Sequence, residues 1–324
     1  MNKVLSLIFI PLLIAGGCHC GTNKVEKNGG AAHSADFTTE HYNVTIAPDL
    51  SNRLNSRLYP KAVSDSIIVN LILDNVYPRV LNHRRSMNQL DQFHLDFINK
   101  HQITAYKINT DSTALDFGRF GSRQNERIAY IRKYYLKDKE NLKSEFKRTY
   151  DKALSRHFGS DIWTYLQEGV DGTVVNRTNS VSRLGNKRFR NKYRNVLILI
   201  TDGYIETGSF ARGYNLSGSQ VNQFRIAFQR SGEENLLKYY QQHPTYKIKA
   251  VTNPLLKDLE ILVLELYDRT EGLNGTRAHP SDLEIIKLFW KDWLTRSGAK
   301  RVELRPKFAS KAEAKKVIMS FLGV

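Results

Sequence analysis

The chain has 324 residues, 41% of them hydrophobic and 25% charged, which excludes a polytopic membrane protein and a wholly disordered one. Lys and Arg number 49 against 32 Asp and Glu, a formal net charge of +17 that points to an anionic partner or surface without choosing among nucleic acid, lipid headgroups and acidic glycan. The two cysteines, Cys18 and Cys20, sit near the N-terminus, so the body beyond them has no disulfide framework, Cys-based zinc site or cysteine nucleophile.

Met1-Asn2-Lys3 is a short positive start, and Val4 to Ala15 is a nearly unbroken apolar run. That run is too short to cross a hydrocarbon layer of roughly 30 Å as a helix, but it has the length of a signal-peptide core. Ala15-Gly16-Gly17-Cys18 resembles the bacterial lipobox. The resemblance implies removal of residues 1–17 and lipidation, including palmitate, of Cys18; His19 makes Cys20 the poorer acceptor. Ordinary secretion with two stray cysteines is the alternative. Cleavage removes Lys3, giving a mature formal charge of 17 − 1 = +16. Residues 18–38, rich in Gly, Ala, Asn and Lys, read as a flexible tether. The expected location is extracytoplasmic, anchored by lipid to the bacterial cell membrane or outer membrane.

The body, 39–324, alternates strands and helices. His41 to Ala47 alternates apolar and polar residues and ends at Pro48-Asp49, a strand feeding a loop. Ser64 to Leu81 carries Ile67, Ile68, Leu71, Ile72, Val76 and Val80 at helical spacing, with Ser64 or Asp65 as cap. Gln92–Ile98 and Ile103–Ile108 read as two short strands, an antiparallel hairpin. Glu126 to Gln167 reads as largely helical with an interruption at Phe158–Asp161. Asn195 to Thr201 and Leu259 to Tyr267 are aliphatic runs of the kind buried on both faces of a parallel sheet. Ser281–Arg296 is an amphipathic helix, Arg301–Arg305 a last strand and Lys311–Leu322 a closing helix. The pattern predicts an α/β, doubly wound, mostly parallel sheet flanked by helices, with helical insertions at about 111–155 and 205–250.

On such a sheet ligands lie beyond the carboxyl ends of the strands. Two strands end there in an acid, Asp49 after the first and Asp202 after the buried one, so both carboxylates are expected in one crevice, with Ser51 adding a hydroxyl. Oxygen ligands of this type suit Mg²⁺ or Mn²⁺. Asp49-Leu50-Ser51-Asn52-Arg53 and Ile198-Leu199-Ile200-Thr201-Asp202-Gly203, with Gly159-Ser160-Asp161 between them, make the chain resemble a von Willebrand factor A (VWA) domain over roughly residues 40–324. The resemblance implies a metal-ion-dependent adhesion site with Asp49, Ser51, Ser160 and Asp202 as metal ligands, and a protein partner whose acidic group docks there. One position departs: Arg53 stands where the family has a second serine ligand. A guanidinium cannot coordinate a cation. Pointing inward it would act as a built-in cation beside Asp49 or Asp202; pointing outward it would leave a working metal site.

Two basic stretches invite a second reading. Asp111–Ser155 is dense in Lys, Arg and Tyr and reads mainly as a solvated helical face compensated by Glu126, Glu140 and Glu145. Arg183 to Arg194 interleaves Arg183, Lys187, Arg188, Arg190, Lys192 and Arg194 with Phe189 and Tyr193, which suits nucleic acid or anionic lipid. An extracytoplasmic location argues against nucleic acid. An enzyme is not expected: the histidines form no HExxH pair, no nucleophile elbow is present, and a metal hydrolase would need a DxD-type arrangement that is missing.

Overall fold

The computed structural model describes residues 36–85, 87–184, 187–207, 214–270 and 278–324. The signal peptide, Cys18 and residues 18–35 of the tether lie outside them, as do residues 208–213 of the second insertion. β1 (Asp36–Pro48) opens the body, so the last residues assigned to the tether, 36–38, are strand. Phe37 stacks on its register partner Phe189 at 5.6 Å, and this ring pair holds the early start of the strand.

The helix expected from Ser64 is present, as α1 (Asp65–Leu71), a π-turn at Ile72–Val76 and α2 (Tyr77–Asn82). Ser64 is the cap, its hydroxyl accepting from the Ile67 N–H at 3.4 Å. The π-turn precedes Pro78, which has no N–H to bond the carbonyl four residues back and so leaves the wider turn in its place. β2 (Gln92–Leu95) lies parallel to β1.

The hairpin expected from 92–98 and 103–108 does not form. Ile103 lies in α3 (His101–Ala105), and Tyr106 and Ile108 turn into a small apolar cluster with Leu50, Leu54 and Phe97. A spacing of three between Ile103 and Tyr106 fits a helical turn as well as the 106/108 alternation fits a strand, and packing under the β1 loop decides it. The antiparallel partner of β2 is instead β3 (Ala114–Asp116).

α4 (Gln124–Lys133) and α5 (Tyr135–Ser155) follow, then α6 (Ile162–Thr164), capped by Asp161 through Thr164 N–H at 2.9 Å. β4 (Val181–Leu184) pairs antiparallel with β5 (Lys187–Ile200), and α7 (Gly218–Ser231) and α8 (Leu236–Gln242) lead to β6 (Leu259–Leu266). α9 (Asp282–Arg296), β7 (Arg301–Pro306) and α10 (Lys311–Leu322) complete the chain.

The strand order is β3-β2-β1-β5-β6-β7, with β4 on the early half of β5; β2, β1, β5, β6 and β7 run parallel. Successive side chains alternate faces. Val44, Ile46, Val196, Ile198, Leu262 and Leu264 therefore pack under α1, α2, α5 and α10. Ala47, Leu197, Leu199, Ile261 and Val263 pack against α6, α7, α8 and α9. Both insertions belong to these cores: Leu142 and Phe146 of α5 enter the first, Phe224 of α7 and Tyr240 of α8 the second. The exposed side of α5 is neutralised locally, with Lys143 on Glu140 and Asp74, and Arg148 on Glu145. The fold is the doubly wound α/β sheet expected. The strand order reverses between β1 and β5, which makes their carboxyl ends the natural crevice.

A buried polar knot ties the opposite, amino-terminal end. His41 is fully buried; Leu90 N–H donates to its Nδ1 at 3.3 Å, so the ring proton sits on Nε2 and is donated to Asn191 Oδ1 at 2.9 Å. Burial lowers the His41 pKa from 6.5 to about 4, the Asn191 bond opposing this and nearby Arg85 and Arg127 adding to it. A His held neutral in the fold is protonated first in the unfolded chain. Its stabilising contribution is therefore complete above pH 6.5 and is lost as pH falls toward about 4. His94, also lowered by burial, acts in the same direction. Urea unfolding should show a lower midpoint at about pH 4.5 than at about pH 7, and His41→Gln should shrink that difference. An unchanged difference would remove His41 as its source.

Candidate functional site

The carboxyl ends of β1, β5 and β6 are stitched together by backbone bonds: Asp49 N–H to Ile200 O at 2.9 Å, Thr201 N–H to Leu264 O at 3.0 Å, and Tyr267 N–H to Asp202 O at 3.0 Å. This brings Asp49 and Asp202 to one place, as the sequence predicts. Both are nearly sealed, at 1% and 4% exposure, so neither carboxylate lines an open crevice. Asp49 Oδ1 accepts the Ser51 N–H at 3.1 Å and its Oδ2 accepts the Thr201 hydroxyl at 2.9 Å. Asp202 Oδ1 accepts the Tyr204 N–H at 3.2 Å and its Oδ2 takes Arg269 at 2.9 Å. Gly203 makes this turn with φ +92°; a Cβ there would meet Ile286 at 2.6 Å and Leu266 at 2.7 Å, so only glycine fits.

Arg53 points inward. It sits in a 3₁₀ turn, Asn52–Leu54, and is buried. Its Nε donates to Asp49 O at 2.7 Å and lies 3.7 Å from Asp49 Oδ2; its Nη2 donates to Ile200 O at 2.7 Å. The fork closes on Asp65, at the first turn of α1, which Lys61 also bonds at 2.8 Å. Burial works against the Arg53 charge, but Asp65, then Asp49 and Asp202, outweigh it and raise the guanidinium pKa. Asp65 is held below its ordinary value despite burial, by Arg53 and Lys61. Asp202 is raised by burial, with Asp49 adding to the rise and Arg269 and Arg53 opposing it.

A second guanidinium, Arg269, lies on the other side of Asp202. It stacks over the Tyr204 ring at 3.7 Å and near Tyr59 at 4.9 Å, and it bonds Glu206 at 2.7 Å. Its side chain is 19% exposed and that of Glu206 44%, so this pair is where the site reaches solvent. The Tyr204 hydroxyl donates to Asp282, which also takes Arg225 of α7. Part of the second insertion thus braces the site from behind.

Ser160 arrives beside the Asp202 loop through its backbone, N–H to Glu206 O at 3.1 Å, and Gly159 leaves no room for a Cβ against Thr207 at 2.7 Å. The Ser160 hydroxyl bonds neither aspartate among the described residues. The four oxygen ligands the resemblance implies are therefore neighbours, but the donor set does not fit a divalent cation as it stands. Every oxygen of Asp49 and Asp202 faces an N–H or O–H donor, and guanidinium groups flank both acids. No group of three or more His, Cys, Asp or Glu side chains placed to hold a metal occurs among the described residues.

The sequence gives Asp65 only as a candidate helix cap and Thr201 only as part of the segment before Asp202, and it gives no role to Glu206 or Arg269. Thr201 and Arg269 carry a usable signal, since both lie within three residues of the end of a buried parallel strand. The basic stretch 183–194 lies in the β4–β5 ribbon. Arg183, Lys187, Arg190 and Lys192 are exposed on it and Arg188 is half-buried. Arg194 is consumed by Glu260 at 2.7 Å and by the Phe321 carbonyl at 2.7 Å. Comparison with known protein families, with characterised proteins and with solved structures returns no match.

Removing one member of a buried ion pair strands the other charge. Arg53→Ala should lower unfolding free energy by about 3–5 kcal/mol. Arg53→Met combined with Asp65→Asn should recover most of that loss. Urea midpoints of the three proteins decide it; a single variant as stable as wild type would show that the pair is not a structural tie.

Proposed function

We propose that the chain is a VWA-like protein-binding module, tethered to the membrane by a lipid on Cys18, whose site receives an acidic group of a partner through arginine in place of a divalent cation. The observation that carries this reading is the position of Arg53 and Arg269, one on each side of the paired Asp49 and Asp202. Arg53 supplies the fixed positive charge that holds the two strand ends. Arg269 supplies the accessible one, clamped in orientation by the Tyr204 ring and paired with the half-exposed Glu206. A partner's carboxylate would take the place of Glu206 on the same guanidinium, exchanging one charge-assisted bond for another at little desolvation cost. The support from the sequence is the order of elements and the TDG turn; the support from the anchor region is the signal-like run and Cys18.

A photo-crosslinker at Asn52, exposed beside the site, should capture a discrete protein adduct in cells that make the chain. Arg269→Gln should remove the adduct, Glu206→Gln should increase it, and chelator should leave it unchanged. An adduct that survives Arg269→Gln, or is lost with chelator, would defeat the arginine mechanism.

Fractionation tests the anchor separately. Wild type should partition with membranes and incorporate labelled palmitate, and Cys18→Ser should do neither. Label retained in Cys18→Ser would move the attachment elsewhere.

A further inference from the structure

Two strands outrun the parallel sheet. β1 gains its partner β2 only at Asn43, and β5 gains β6 only at Asn195. Ahead of those points, residues 36–42 of β1, 188–194 of β5 and the antiparallel β4 make a three-stranded extension about 20 Å long. It lies at the amino-terminal end of the sheet, away from Asp202.

Its charge is one-sided. Arg183, Lys187, Arg190 and Lys192 are exposed on it, and none has an ion pair among the described residues. Half-buried Arg188, and Arg194 on Glu260, add nothing to that excess. The described side chains of the extension bring one acid against these four cations, Glu40. Apolar groups stand exposed beside the charges: Phe37 at 43% and Val181 at 48%. Lys187 lies over the Phe37 ring at 5.8 Å, and Phe37 and Phe189 share a cleft with the exposed Met87 and Arg84.

The register distributes these groups over both faces. Arg190 and Lys192 alternate with Phe189, and Arg183 joins them on their face as the partner of Arg188. Lys187 goes with Phe37 and Phe189 on the other. A nucleic-acid strand laid along one face would leave the other's cations unmet. Headgroups of a bilayer surround an end that enters among them, and meet both. Long basic side chains beside exposed apolar groups suit that layer, the stems lying with the acyl boundary and the charges with the phosphates. The chain also enters β1 here: residues 19–35 are all that separate Cys18 from Asp36, and a segment of that length spans at most about 60 Å.

We propose that this extension is a membrane-contact surface, its exposed cations meeting the phosphates of an anionic bilayer while Phe37, Val181 and Met87 enter the headgroup layer. The contact depends on the lipid reading of Cys18 only for where the bilayer lies, and it is tested with that lipid absent.

Flotation of full-length Cys18→Ser with phosphatidylglycerol vesicles tests it. Phosphatidylcholine vesicles subtract whatever the apolar run Val4–Ala15 contributes. Binding is expected to exceed that baseline and to be released by high salt. Arg183→Gln, Lys187→Gln, Arg190→Gln and Lys192→Gln should each weaken it about fivefold, the worth of one basic residue near an anionic surface. Arg190→Gln with Lys192→Gln should weaken it about twentyfold. Arg132→Gln with Lys133→Gln, exposed in α4 and equal in charge removed, should leave it within about twofold. Phe37→Trp should add a blue shift of tryptophan emission with phosphatidylglycerol vesicles that wild-type Phe37 does not give. Equal weakening by the α4 pair, no binding above the phosphatidylcholine baseline, or binding of a single-stranded oligonucleotide in place of vesicles overturns the proposal.

Discussion

One buried guanidinium holds the carboxyl end of this sheet together. Arg53 bonds the carbonyls of Asp49 and Ile200, which end adjacent strands, and closes on Asp65 at the start of the first helix. Those three groups come from separate elements and meet where regular structure stops. A divalent cation can organise such an end by drawing carboxylates inward. A guanidinium does it by donating in a plane to carbonyls and carboxylates at once, and it needs a compensating acid. Asp65 is that acid, and Lys61 shares it. The consequence runs outward: with Asp49 engaged by Ser51, Thr201 and Arg53, and Asp202 by Tyr204 and Arg269, both acids already face donors and fixed positive charge, and the surface of the site is given to arginine and glutamate.

The sheet and its central strands were legible because five aliphatics in a row at Val196–Ile200 and eight buried residues at Leu259–Leu266 admit few other readings. The paired acids were legible because each follows such a strand. Asp65 was not, since an acid in the first turn of a helix is ordinarily favourable to the helix dipole and asks for no partner. Arg269 lies in a loop, and only its place three residues past the buried strand Leu259–Leu266 marks it among many charges. Lys187–Arg194 did carry one: basic side chains at 188, 190, 192 and 194 alternate with Phe189, Asn191 and Tyr193, a period of two that marks a strand. Ile103–Ile108 failed for the opposite reason, because six residues satisfy both periods and tertiary packing alone separates them.

The large positive excess is unevenly spent. At the carboxyl end, Arg53, Lys61 and Arg269 are matched by Asp49, Asp65, Asp202 and Glu206. Glu265 stands close by, buried with φ +73° at the irregular end of β6, and burial raises its pKa to about 7, Lys61 opposing and Asp65 adding to the rise. Acids at that end outnumber the cations that answer them. Along α5, surface pairs with Asp74, Glu140 and Glu145 do the same work in solvent, where each contributes little.

The β4–β5 ribbon is where matching stops. Arg194 finds Glu260, but Arg183 faces another arginine across the ladder. Electrostatic repulsion at a sheet edge is tolerable for stability, since solvent screens it over about 8 Å at physiological salt. The two ends of one sheet thus differ: at the carboxyl end buried acids and guanidiniums answer one another, whereas Arg183, Lys187, Arg190 and Lys192 of the ribbon stand exposed.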